Sequence, residues 1–125
     1  MKMNKSNTYD LEERLIRFAV LIIDIVDTLP QTKTGNHVAG QLVRSGTSPA
    51  PNYGEAQSAE SRKDFIHKMK ISLKELRETR VWLHIILRKQ LVPTNEVVEN
   101  ALCECEELIR IFSKSIATAE TVLER

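Results

Sequence analysis

Aromatic side chains are scarce in this chain: one Trp, two Tyr and three Phe, 5% of 125 residues. A core with so few rings must rely on aliphatic packing, and Leu, Ile, Val and Ala supply most of the 42% hydrophobic fraction. That composition suits helices packed on helices. Net charge is also missing. Eighteen basic against 17 acidic residues leave +1, which argues against a domain whose whole surface is a nucleic-acid footprint. The apolar run Phe18 to Val26 is too short to span a bilayer and contains Asp24. Met1 to Asp10 is polar, with no secretory apolar region behind a basic start, so the expected compartment is cytoplasmic. The two cysteines, Cys103 and Cys105, would point roughly 200° apart on a helix. They can neither pair nor share a metal. His37, His67 and His84 fall at no ligand spacing, so no metal and no cofactor is expected.

Four helical segments are present, and nothing reads as strand. The first, about Asp10 to Leu29, has apolar residues at 11, 15, 18, 22, 25 and 29, a heptad seam. Ile16, Val20, Ile23 and Val26 add a second apolar flank, so more than half the circumference is apolar. A monomeric bundle needs a stripe little over ~100° wide, so the surplus predicts burial on a second side. After Pro30 comes a connector, 32–36, with Thr34 as the expected N-cap of the second segment. The third segment opens with Ser61 as N-cap and Asp64 three residues on, and its seam is Phe65, Met69, Ser72, Leu76, Thr79, Leu83 and Ile86. After Pro93, a fourth helix from about Asn95 to Leu123 carries Val98, Ala101, Leu102, Cys105, Leu108, Phe112, Ile116, Ala119 and Leu123. Long heptad-patterned helices with short connectors predict an all-α, antiparallel up-and-down four-helix bundle. It forms a single domain, 1–125, with a polar N-terminal tail at 1–8.

The second segment contains RSGTSPAPNYGEAQ, residues 44–57. Proline inside a helix costs about 3 kcal/mol, but little within a first turn, where the N–H groups have no partner anyway. With Ser48 as N-cap, Pro49 and Pro51 fall in that tolerated turn. One helix that kinks or restarts near Ser48–Pro51 is expected, running on to about Ala59. Gly46, Ala50 and Gly54, four apart, would leave a smooth strip for close helix approach.

The stretch QLVRSGTSPAPNYGEAQ and the later KDFIHKMKISLKELRET resemble the small four-helix-bundle proteins encoded in intervening sequences of bacterial 23S rRNA genes. The matching residues are Gln41, Leu42, Arg44, Ser45, Ser48, Asn52 and Glu55, then Lys63, Asp64, Phe65, Ser72 and Glu75. Ala56, where the family usually has Gly, and Pro51 depart from its pattern. The resemblance implies a ring-like homopentamer. It also extends to the accessory protein of diversity-generating retroelements, which implies RNA or DNA and a reverse transcriptase as partners.

Charge is unevenly spread. Residues 61–90 hold nine basic and three acidic residues, a net of +6, and residues 91–125 hold three and seven, a net of −4. Lys63, His67, Lys70, Lys74, Arg77, His84 and Arg88 share one arc of the third helix, with Arg80 at its edge. This ridge either tracks phosphates or is a solvated face paired with the acidic fourth helix. Trp82, near Ile71 and Ile85, either stacks a base or, the favoured reading, anchors a subunit contact. Ile16, Val20, Ile23, Ile71, Trp82 and Ile85 are thus the expected oligomer surfaces. Gln41, Arg44, Ser48, Asn52 and Glu55 form one polar edge, either a ligand site or, the favoured reading, a network that locks the kink by supplying donors to carbonyls freed by the prolines. Arg62 to His67 has the R-x4-H spacing of some helical ribonucleases, a remote alternative that chance often produces. The function expected is non-enzymatic: a homo-oligomer binding RNA or DNA through the ridge. The alternative is a purely structural assembly or protein adaptor.

Overall fold

A computed structural model describes residues 7–124, with side chains from residue 11 onward. Among them are five helices: α1 (Asn7–Asp27), α2 (Lys33–Thr47), α3 (Pro49–Gln57), α4 (Arg62–Lys89) and α5 (Glu96–Leu123). α2 and α3 are two halves of one arm, so the architecture is the expected four-helix bundle. α1 packs on α2, α3 and α5, and α4 packs on α2, α3 and α5, while α1 and α4 do not approach each other. These two therefore stand on a diagonal. The expected polar tail lies outside the described residues at 1–6, and its last two positions are already in α1.

The heptad seam of α1 is the centre of the core: Leu11, Leu15, Phe18, Ile22, Ile25 and Leu29 are all buried. Across the bundle, Tyr53 meets Phe112 edge-on with ring centroids 5.9 Å apart. Two other seams shift at their ends. Ile66 is buried and Phe65 only half-buried, and Leu123, past the last supporting turn, is 49% exposed.

The connector after α1 differs from expectation. Thr32, not Thr34, caps α2, its hydroxyl accepting from Gly35 N–H at 3.0 Å. Gly35 fixes this register, because a Cβ there would lie 1.9 Å from the Pro30 carbonyl oxygen.

The arm bends at Ser48 without a new cap. Ser48 is itself right-handed helical (φ −68°, ψ −36°) and makes no side-chain cap. Its N–H donates to Arg44 O and its carbonyl accepts from Asn52 N–H, both at 3.2 Å, so the helical ladder continues through the kink. The hydroxyl has little to cap, because Pro49 and Pro51 in the turn that follows carry no N–H. Asn52 Nδ2 holds Ser48 instead, donating to its carbonyl at 3.0 Å and its hydroxyl at 2.9 Å. Gly46 makes the close approach that its position predicts, packed on Ile22, whereas Gly54 faces open space.

Candidate functional site

Three buried hydroxyls tie the kinked arm to α4. Ser72 donates to the Pro49 carbonyl at 3.2 Å, and the Thr79 and Ser45 hydroxyls are hydrogen-bonded at 2.9 Å. All three side chains are fully buried. Ser72, which sits on the predicted seam of α4, thus joins Asn52 in donating to a carbonyl at the kink.

The polar edge on α2 and α3 also faces α4. Arg44 donates to Glu75 at 2.9 Å, to Glu78, and to Gln41 Oε1 at 3.4 Å. Arg44 was expected to serve freed carbonyls, but the two carboxylates on α4 offer charge-assisted partners that a carbonyl cannot match. Glu55 accepts from Lys68 at 2.8 Å. Trp82 belongs to the same cluster: its indole N–H donates to Glu78 at 3.2 Å and its ring meets His37 edge-on at 5.9 Å. The Arg44 guanidinium holds the Glu78 carboxyl below its ordinary range, despite partial burial, and the Trp82 N–H assists. Every member of the edge is committed to another side chain or to backbone. The arrangement fastens α2 and α3 to α4.

The basic ridge is different. Lys63, His67, Lys70, Lys74, Arg77 and Arg88 are exposed, and Arg80 and His84 half-buried. Lys70 pairs with Glu120 on α5 at 2.9 Å. Among the described residues it is the one ridge cation in a salt bridge. Two other acidic residues of α5 pair away from the ridge, Glu104 with Arg14 and Glu107 with Arg110, both at 2.8 Å. Lys70, Lys74 and Arg77 rim a shallow groove between α4 and α5, floored by Leu73 and Ile116.

Apolar surface is left bare on two helices. On α1, Ile16, Val20 and Ile23 are 46, 52 and 41% exposed, and on α4, Val81 and Ile85 are 53 and 39% exposed. Val81, next to Arg80 and one turn from Arg77, is not marked by apolar periodicity. Ile71 and Trp82 are half-buried. Arg62 and His67, five residues apart on α4, project about 140° from one another, so the helix does not bring the R-x4-H pair together. Cys105 is buried, donates to Leu76 O at 3.2 Å, and has its thiol pushed up to about 12 by burial. No cluster of three or more metal-ligating side chains occurs among the described residues, and no helix there is long and apolar enough to cross a membrane.

A family described as 23S rRNA-intervening sequence protein matches residues 8–114. A solved structure of a protein with unknown function from the S23 ribosomal protein family of Bacteroides thetaiotaomicron is 33% identical. The match covers 85% of this chain and 97% of that chain, with a TM-score of 0.78. No curated protein matches.

Proposed function

The chain belongs to the 23S rRNA-intervening sequence protein family, and from that premise we propose a non-enzymatic, self-assembling bundle that follows nucleic-acid backbone along α4. The observation that carries this reading is the unspent charge of the ridge. Lys63, Lys74, Arg77 and Arg88 are exposed and in no salt bridge among the described residues. Assembly would repeat that ridge on every copy. Such contacts are to phosphates, so binding is independent of sequence and falls steeply with salt.

Fluorescence anisotropy with a short RNA duplex and a DNA duplex tests it. Four phosphate contacts predict about a hundredfold loss of affinity between about 50 and 200 mM salt. Lys63→Glu with Arg77→Glu should abolish binding while leaving the helical content unchanged. No binding at low salt overturns the reading.

The bare apolar strip on α1 favours a second reading, an assembly or protein adaptor that ignores nucleic acid. On that reading the partner is a protein, and a reverse transcriptase is the first to try.

A further inference from the structure

We infer that Ile16, Val20 and Ile23 on α1 of one copy dock against Val81 and Ile85 on α4 of a second copy. This head-to-tail contact rests on the self-assembly reading above and says which faces meet. Both strips are bare, and they match in more than apolarity. The α1 strip is flanked by Glu12 toward one end and Asp24 and Asp27 toward the other, none of them in an ion pair among the described residues. The α4 strip is flanked by Lys74 and Lys89, equally unpaired. Glu12 to Asp27 and Lys74 to Lys89 are each fifteen residues apart, about 22 Å along a helix. Each apolar strip thus lies between charges set the same distance apart and of opposite sign on the two faces, so docking would cover apolar surface and pair charges at once.

Because α1 and α4 stand on a diagonal of the bundle, one copy cannot satisfy its own strips. Neither does a two-fold dimer use both faces in a single contact. The interface is heterologous, which builds a ring where the rotation closes. Lys63 and His67, 18 and 14 residues before Val81, lie about 27 and 21 Å along α4 from the strip, beyond the reach of an α1 docked on it, and stay open for the phosphates proposed above.

Two single-face variants test the pairing. Val20→Glu spoils the α1 strip and Val81→Glu the α4 strip. Each side chain is more than half exposed, and unchanged far-UV circular dichroism shows that the bundle is intact. Light scattering should find each variant alone to be a single chain. Their equimolar mixture should give a one-to-one heterodimer, since each supplies the face that the other has lost. A mixture that stays monomeric, or a Val81→Glu variant that keeps the wild-type mass, overturns the inference. Should the wild type itself be a single chain, the self-assembly reading falls too. Should it assemble while the mixture does not pair, the head-to-tail contact alone is wrong.

Discussion

Gly46 lies against Ile22 so closely that a Cβ on the glycine would sit 2.7 Å from Ile22 Cγ2. Ile22 is fully buried, so its branched side chain has nowhere to move. Gly46→Ala is expected to lower stability by about 1–2 kcal/mol, overpacking outweighing the gain of about 1 kcal/mol in helix propensity. Gly40→Ala, with nothing within 4 Å of the added methyl, should instead raise it by about 0.5–1 kcal/mol. Urea midpoints of the two variants check the opposite signs. A stable Gly46→Ala would mean that α1 and α2 pack less closely.

Thr79 and Ser45 share a buried hydrogen bond of 2.9 Å, and the next Ser45 contact, to Leu42 O, is 3.5 Å. Thr79→Val therefore strands a buried hydroxyl and should cost about 1–2 kcal/mol. Adding Ser45→Ala should recover part of it, because neither partner is then left unpaired. A double-mutant cycle by chemical denaturation reads the coupling, and purely additive effects would deny it.

Glu78 is held below its ordinary carboxyl value of 4.5 chiefly by Arg44, with Trp82 assisting. A carboxyl whose folded value is depressed binds fewer protons folded than unfolded. Its contribution is complete above about 4.5 and is lost as pH falls through the lower, folded value. Stability of the wild type should therefore drop below that pH, and the drop should be shallower in Glu78→Gln. Equal slopes for the two proteins between pH 3 and 6 would contradict the Arg44 clamp.

Cys103 is exposed while Cys105 is buried, with its thiol up at about 12. At pH 8 an aromatic disulfide reagent should label one thiol per folded chain, and two in denaturant. Cys103→Ser should remove the fast phase. Rapid labelling of Cys105 in the folded protein would show the α4–α5 seam to be open.

The heptad of α1 was legible in full, since spacing alone picks the side that packs. The bend at Ser48–Pro51 was legible too, because proline chemistry is local. Its detail was not. Whether Ser48 caps or carries the helix onward depends on Asn52 and on Ser72, which comes from another helix. Thr32 and Thr34 obey the same capping rule, and the choice between them rests on Gly35 meeting Pro30. The partners of Arg44 and Trp82 lie across the α2–α4 seam, beyond the reach of any single helix period. The α1 flank of Ile16, Val20 and Ile23 was read from periodicity and is bare in the single chain, but Val81 went unnoticed beside the basic residues around it.

The central claim is that this bare flank is covered by another copy of the chain. Light scattering on the purified wild type at micromolar concentration tests it most directly. Head-to-tail contact predicts a mass of at least three times the 14.3 kDa chain. A stable, fully helical species with the mass of one chain would contradict it.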